Sequence, residues 1–267
     1  MIIDTIVTDM DDTLFTQEGT ISDFSLEVMR ECARRGIRVI PNSGRAQASM
    51  EPFMRQLNTG LPYIACNGAQ LVNADHTVME ELFMPAPLAR EVCAFWEGEG
   101  IYVQAYRGNA VYYSRESISS REYTRSSGLE GVQVGDLTTF LTFDTPKLLA
   151  IAEPEKIARL YRISRERFGE RLVFSISKPN YCEATPLGGT KGEALIRLAE
   201  RVGILPERTM VFGDSLNDLS MFSFTPYSVA MGNGREEVKQ AARFVCGPNS
   251  VDGMARFVKE RVLCPLA

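Results

Sequence analysis

The sequence predicts an α/β fold in which a parallel sheet covered by helices is interrupted by an inserted α+β segment. Short apolar runs alternate with helical patterns at both ends of the chain, whereas the middle is rich in aromatic, alternating strands. Strand–helix–strand alternation is typical of parallel sheets, because a crossover helix returns the chain to the start of the next strand. We therefore expect a discontinuous core domain of residues 1–82 and 186–267 and an inserted domain of residues 83–185.

The N-terminal part of this pattern contains three predicted strands. Residues 2–8 and 37–41 are apolar and rich in β-branched side chains, and residues 61–65 form a third short run. Ser22 is the predicted N-cap of a helix that ends at Gly36, and a second helix is expected before the third strand.

The C-terminal part repeats the alternation. Thr190 and Glu193 have the spacing of a capping box, and the apolar stripe behind them predicts a helix. Strands are expected over residues 209–212 and 226–231, and a terminal helix over 250–262. The insert is predicted to contain helices and strands over residues 86–99, 101–106, 110–113, 148–152, 154–168 and 172–177.

Composition and charge exclude several classes of function. The 267 residues include 29 Lys+Arg and 34 Asp+Glu, a net charge of −5, and no basic block, which argues against a nucleic-acid partner. A single histidine, His76, nearly excludes a histidine base or a multi-histidine metal site, so the chemistry has to rely on carboxylates. Six scattered cysteines and no apolar run of ~20 residues predict a cytoplasmic protein without a membrane partner.

Two acidic runs directly follow predicted strands. Asp9 and Asp11 stand after the first strand, and Asp214 follows a later one, with Gly213 allowing a tight turn. Carboxylates packed together raise one another's pKa unless a cation compensates them, and Mg2+ prefers such oxygen ligands together with phosphate. For the first run alone, a solvated turn with a capping role is the alternative interpretation.

Two further segments lead to the same edge of the sheet. Ser43-Gly44-Arg45 follows another strand, and Lys191 opens a helix. Ligands of open parallel sheets bind outside the carboxyl ends of the strands, and a helix N-terminus attracts anions. Acids, a hydroxyl and a cation at one edge therefore suggest a metal-bridged phosphate.

In order and spacing, four motifs resemble those of the haloacid dehalogenase superfamily phosphatases of the Cof type, subfamily IIB. The motifs are DMDDT, SGR, TKG and GDSLND, with the insert between the second and the third. The resemblance covers the whole chain. It implies a Rossmann-like core, a C2-type cap over residues 83–185, a Mg2+ cofactor, and hydrolysis of phosphate esters through an aspartyl phosphate.

The resemblance also implies roles by position. Asp9 matches the nucleophile, Asp11 the general acid/base, and Asp218 a group that orients Lys191 or metal-bound water. Mg2+ would be held by the Asp9 carboxylate, the Asp11 backbone carbonyl and Asp214. The phosphoryl group would be bound by the amides of Met10 and Gly44, the Ser43 hydroxyl, Lys191 and Asn217.

This sequence departs from the family pattern at two positions. Ser43 stands where threonine is usual and keeps the hydroxyl. Asp12 stands where glycine is usual, and we expect it to point away from the site as a helix cap. An Asp12 side chain that faced the site would alter metal affinity or specificity.

Several side chains have two interpretations. Arg45 could bind a substrate anion or pair with an Asp or Glu at the start of the helix. Asn67-Gly68 resembles a loop near the phosphate edge, although Asn-Gly by itself favours a simple turn. Candidates for substrate specificity lie mainly where the insert rejoins the core: besides Arg45 and Asn67, they are Lys178, Asn180, Tyr181 and Glu183.

The leading hypothesis is a Mg2+-dependent phosphatase of a small phosphorylated metabolite, such as a sugar phosphate or a phosphorylated cofactor. The expected partner is therefore a small-molecule phosphate ester, and the sequence does not determine the oligomeric state. The alternatives are a phosphomutase-like phosphotransferase and a catalytically silent binding or regulatory protein on the same fold.

Overall fold

The computed structural model describes residues 2–264. The strands are β1 (Thr5–Thr8), β2 (Arg38–Pro41), β3 (Tyr63–Ala65), β4 (Gln70–Val72), β5 (Val78–Glu81), β6 (Tyr102–Arg107), β7 (Ala110–Tyr113), β8 (Glu130–Gln133), β9 (Leu148–Ile151), β10 (Leu172–Ser175), β11 (Tyr181–Pro186), β12 (Thr209–Gly213), β13 (Tyr227–Ala230) and β14 (Phe244–Val245). The helices are α1 (Asp23–Arg34), α2 (Gln47–Leu57), α3 (Ala86–Gly98), α4 (Ile118–Ser127), α5 (Leu137–Phe140), α6 (Pro154–Phe168), α7 (Lys191–Val202), α8 (Leu219–Phe222), α9 (Glu236–Ala241) and α10 (Gly253–Val258). Among residues 2–264, none of these helices combines the length and apolar character that crossing a bilayer requires.

A five-stranded parallel sheet forms the core, in the order β14-β13-β12-β1-β2. β1 lies between β12 and β2, with Thr5 opposite both Thr209 and Arg38. Its side chains alternate between two apolar layers, because helices cover both faces of the sheet. Ile6 packs on the side of α1 and α10, and Val7 packs on the side of α7. This architecture confirms the predicted α/β fold.

A second sheet is built from the middle of the chain, in the order β10-β11-β9-β6-β7-β8. It is antiparallel except for the β7–β8 pair. One face packs on α3 and α6, where Trp96 donates to Ser164 Oγ at 2.8 Å. The other face turns Tyr106 and Leu149 towards Ala46 and Cys66 of the core. The exact domain limits at residues 82/83 and 185/186 stay a prediction.

Two predicted core elements are wrong in detail. The third strand does not join the main sheet: β3 pairs with β4 in a small antiparallel sheet, and a single parallel bridge, Asn42–Ile64, links it to the residue after β2. The terminal helix begins only at Gly253, because Asp252 has the left-handed φ of 56° that interrupts a helix. In the insert, α4 was not predicted, because it lacks an apolar stripe. A capping box of Ser117 and Ser120 starts this helix.

Helix α7 approaches the rest of the core so closely at Gly192 that no side chain fits there. A Cβ at this position would lie 2.2 Å from the backbone oxygen of Ser220. We expect Gly192→Ala to lower the free energy of unfolding by about 1–3 kcal/mol, because either α7 or the Ser220 turn has to move. Urea denaturation followed by circular dichroism measures this change.

Gly98→Ala is the matched control, since a Cβ at Gly98 in α3 meets nothing within 4 Å. We expect that variant to be as stable as the wild type or more stable by up to about 1 kcal/mol, through its higher helix propensity. Equal unfolding curves for the two variants would contradict the close approach of α7.

Candidate active site

The carboxyl ends of β1, β2 and β12 meet in one cleft. Asp9 follows β1, Ser43 follows β2, and Asp214 follows β12. The cleft encloses about 610 Å³ of space that is partly open to solvent, and the insert lines its other side. Parallel neighbouring strands end at the same edge, which explains why residues so distant in sequence converge.

A buried lysine lies at the centre of this edge. Lys191 Nζ donates to Asp9 Oδ1 at 2.5 Å and to Asp218 Oδ1 at 2.6 Å. Thr190 caps α7 by accepting a hydrogen bond from the Glu193 backbone N–H, which fixes the start of the helix. Burial favours the neutral amine, but the two carboxylates outweigh it, and the pKa of Lys191 is raised.

Asp218 also shapes the turn after β12. Its second oxygen, Oδ2, accepts from the backbone N–H groups of Asp214 and Ser215, both at 2.9 Å. Gly213 makes this turn possible, because a Cβ there would lie 2.5 Å from Asp218 Cβ. Both Asp218 oxygens therefore have hydrogen-bond donors, and the group acts as a scaffold between the turn and Lys191.

Buried Asp9 and half-buried Asp214 form a pair of carboxyl groups with insufficient positive charge around them. One oxygen from each of Asp9, Asp214 and Asp218 lies within 4.8 Å of the other two. Burial and then repulsion between neighbouring carboxylates raise the pKa of Asp214 to about 9, although Thr13 donates to it at 2.9 Å. Burial likewise raises the pKa of Asp9 to about 7, against the opposing effect of Lys191. Such an oxygen-rich set fits a hard divalent cation, which would compensate the negative charge.

Asp11 has the opposite electrostatic environment. Arg45 holds it in a two-pronged ion pair, with Nε 2.7 Å from Oδ2 and Nη2 2.9 Å from Oδ1, and Lys178 Nζ is 3.5 Å from Oδ1. Burial alone would raise the pKa of Asp11, but these cations lower it to about 2. Arg45 thus pairs with an acidic residue, as one of its two interpretations predicted, but the partner lies in the turn after β1 and not at the start of α2.

The expectation that Asp12 is a helix cap is wrong. Asp12 lies in an irregular turn over Met10–Leu14 with φ 58° and ψ 6°, and no side-chain capping bond starts this turn. The residue is exposed and lines the mouth of the cleft. Glycine adopts such a left-handed backbone without steric cost, which explains why it is usual at this position.

The remaining predicted phosphate ligands lie at or beside the cleft. Ser43 and Gly44 line it, and the Ser43 hydroxyl oxygen accepts from the Arg45 backbone N–H at 3.2 Å. The Met10 side chain is fully buried in the core, so only its backbone can serve a ligand. Asn217 also lines the cleft, but its Nδ2 donates to Asn67 Oδ1 at 2.9 Å.

Three of the specificity candidates in the insert, namely Lys178, Tyr181 and Glu183, line the cleft. Asn180 is not among the lining residues, since it stands in the turn before β11, where its carbonyl accepts from Ala152. Asn67 lies in the β3–β4 hairpin loop with φ 56°, as the turn interpretation requires, yet its buried side chain also bonds to Glu183 and Asn217.

Sequence reasoning missed five lining residues of the insert: Tyr123, Ser126, Ser127, Lys147 and Ser177. Lys147 stands directly before the apolar strand β9, where a lysine is typical of a solvated strand start. Tyr123 lies on α4, the helix that the apolar pattern does not show. Neither position carries a motif that separates it from ordinary surface residues.

Known proteins share this sequence pattern and this fold. The sequence model of the haloacid dehalogenase-like hydrolase family matches residues 6–258. The chain therefore belongs to the haloacid dehalogenase-like hydrolases, which confirms the predicted family and the prediction that the protein is a hydrolytic enzyme. A haloacid dehalogenase-like hydrolase from Bacteroides thetaiotaomicron has a crystal structure similar to this one, with a TM-score of 0.84 at 25% identity over 96% of this chain and 98% of that chain.

Curated relatives carry the names of phosphatases. The 5-amino-6-(5-phospho-D-ribitylamino)uracil phosphatase YcsE of Bacillus subtilis is 26% identical over 97% of this chain and 95% of its own length. The pyridoxal phosphate phosphatase YbhA of Escherichia coli is 26% identical over 97% of this chain and 98% of its own length.

Proposed function

We propose that the protein is a Mg2+-dependent phosphatase that hydrolyses a small phosphorylated metabolite through an aspartyl phosphate on Asp9. The observation that carries this proposal is the position of the Asp9 carboxylate, held by the Lys191 ammonium at 2.5 Å and lying beside Asp214 at the open edge of the sheet. A carboxylate held in this way can attack phosphorus, and the lysine can neutralise the charge of an incoming phosphate.

Asp9, Asp214 and the backbone carbonyl of Asp11 would hold the magnesium ion. Asp218 is a weaker ligand candidate, because Lys191 and two backbone amides already occupy its oxygens. When bound, the ion supplies positive charge that offsets the crowded carboxylates and the phosphate.

In the first step, an oxygen of Asp9 forms a bond to phosphorus while the bond from phosphorus to the ester oxygen breaks. Asp11 gives its proton to the leaving oxygen, which departs as an alcohol. Lys191, the Ser43 hydroxyl and the amides of Met10 and Gly44 hold the transferring group. Catalysis here is mainly positioning and charge stabilisation.

In the second step, water attacks the phosphorus of the aspartyl phosphate, and the Asp11 carboxylate takes its proton. Inorganic phosphate leaves and Asp9 is regenerated. The ion pair with Arg45 keeps Asp11 ionised, which suits this step. The preceding proton donation requires Arg45 to release Asp11 when substrate binds.

Residues 83–185 serve as the cap over a core of residues 1–82 and 186–267. Tyr123 and Tyr181 from the cap line the cleft, so a leaving group with a ring would meet aromatic side chains. A phosphorylated cofactor or a sugar phosphate fits this lining. The names of the relatives, which act on pyridoxal phosphate and on a ribitylaminouracil phosphate, support the same substrate class.

Asp9→Asn tests the nucleophile. The amide cannot form the aspartyl phosphate, so we expect kcat to fall by at least about 10³-fold for every ester in a panel of sugar phosphates and phosphorylated cofactors. Released inorganic phosphate is the readout, because it separates hydrolysis from transfer to a second hydroxyl. Asp4→Asn, at the opposite end of β1, is the control and should keep full activity. Appreciable turnover by Asp9→Asn would refute the assignment.

Asp11→Asn tests the proton transfer separately from phosphate binding. We expect a loss of about 10²–10⁴-fold in kcat, because the amide neither donates nor accepts the required proton. Phosphate and metal binding, measured by titration calorimetry, should remain close to wild type. Loss of binding together with turnover would indicate a binding role for Asp11 instead.

Chelation tests the metal. With excess EDTA, phosphate release should stop and return on addition of Mg2+. We expect Asp214→Asn to require more Mg2+ for half-maximal activity, because the variant loses one carboxylate ligand. Wild-type turnover that is indifferent to EDTA would exclude the metal-dependent mechanism.

A further inference from the structure

A buried ion pair of the insert, Lys147 with Glu183, reaches into the core beside the phosphate loop. Lys147 Nζ donates to Glu183 Oε1 at 2.7 Å and to the Gly44 carbonyl oxygen, also at 2.7 Å. Both side chains are almost fully buried, and the ammonium lies 4.6 Å from the centre of the Tyr106 ring. The pair takes no part in the chemistry described above, and neither residue belongs to a recognised motif.

The Gly44 carbonyl differs from its two neighbours because its hydrogen-bond donor comes from the insert. In the segment Ser43-Gly44-Arg45, the Ser43 carbonyl accepts from the Asn67 backbone N–H at 3.0 Å, and the Arg45 carbonyl accepts from Cys66 at 2.8 Å. The carbonyl between them accepts from Lys147. Two of the three carbonyls are therefore fixed by the β3–β4 loop, and the third by a cation from the other sheet.

Fixing this carbonyl also fixes the phosphate-binding hydroxyl. The Gly44 carbonyl and the Arg45 N–H belong to one planar peptide group, so the direction of one sets the direction of the other. Lys147 donates to the oxygen of this peptide group, and the Arg45 N–H of the same group donates to Ser43 Oγ at 3.2 Å. The position of the Ser43 hydroxyl thus depends on a lysine that lies 103 positions away in the chain.

The carboxylate partner extends the contact to a second core loop. Glu183 Oε2 accepts from Asn67 Nδ2 at 2.7 Å, and Asn67 Oδ1 accepts from Asn217 Nδ2 at 2.9 Å. Glu183 thereby orients the Asn67 amide, and Asn67 in turn orients the Asn217 amide. Asn217 Oδ1 has no hydrogen-bond partner within residues 2–264, so the chain of bonds ends in the cleft.

We propose that the Lys147–Glu183 pair positions the phosphate-binding loop, so that the contact between the insert and the core supports phosphate binding. Both are positioning residues, because they act through Gly44 and Asn67. The inference rests on the proposed phosphatase function. A buried ion pair contributes little net stability compared with apolar residues of similar volume, whereas its directional bonds hold a loop in one geometry.

The test removes both charges together, so that neither is left buried and unpaired. The double variant Lys147→Met/Glu183→Gln keeps the side-chain volumes, and we expect a urea midpoint close to wild type. Its kcat/KM should fall by about 10- to 100-fold, and by the same factor for every ester, because the displaced loop binds the phosphoryl group common to all of them. Inorganic phosphate, titrated by calorimetry in the presence of Mg2+, should bind more weakly by a similar factor.

The matched control is Arg171→Met/Glu91→Gln, which removes an exposed ion pair of the insert outside the cleft. We expect its activity and phosphate affinity to equal those of the wild type. Wild-type values in the Lys147/Glu183 double variant would overturn the proposal. A loss of kcat/KM that differs between esters, with phosphate affinity unchanged, would overturn it too. The pair would then act on the leaving group and not on the phosphate-binding loop.

A second variant keeps the proposal testable should the double variant fail to fold. Asn67→Gly accommodates the left-handed φ of 56° and removes only the amide that links Glu183 to Asn217. We expect weaker phosphate binding here as well, and unchanged binding would count against the proposal. If the wild type hydrolysed no ester, the phosphatase function would fail, and the phosphate titrations alone would decide the positioning role.

Discussion

The contact on which the active edge depends is the buried ammonium group of Lys191 between Asp9 and Asp218. It joins the start of α7 to the ends of β1 and β12, and all three side chains are shielded from water. Removing the lysine would leave two buried carboxylates without their cation, which is strongly destabilising. The close approach of α7 at Gly192 and the tight turn at Gly213 follow from the same requirement, because the lysine has to reach both carboxylates.

The carboxyl groups on the two sides of the cleft have pKa values shifted in opposite directions. Burial, and then repulsion by neighbouring carboxylates with Asp218 first among them, raises the pKa of both Asp9 and Asp214, and this crowding calls for an added cation. Asp11, two positions along the chain, has its pKa lowered by Arg45 and Lys178. Neighbouring carboxyl groups with opposite shifts are typical of sites that divide nucleophilic and proton-transfer roles. The aspartates of one short segment can therefore perform different tasks.

The insert is hydrogen-bonded to three loops of the core. Arg45 donates to the Ser126 carbonyl, Ser215 to the Ser177 carbonyl, and Lys147 to the Gly44 carbonyl. Each of these bonds joins the insert to a loop that follows a core strand. The geometry of the loop Ser43–Arg45 and the position of the insert are in this way parts of one hydrogen-bonded structure.

Local sequence determined the α/β fold, the family and the convergence of Asp9, Ser43, Lys191 and Asp214. Strand periodicity, caps and the order of motifs are short-range features, and a parallel sheet places the residue after each strand at one edge. Only the tertiary structure decided that Arg45 pairs with Asp11, that Asp12 lies at the mouth of the cleft and that β3 is not part of the main sheet. The Lys147–Glu183 pair likewise could not be predicted from the sequence. A lysine before an apolar strand has the same local pattern whether it is solvated or buried, and the packing of two sheets distant in sequence makes the difference.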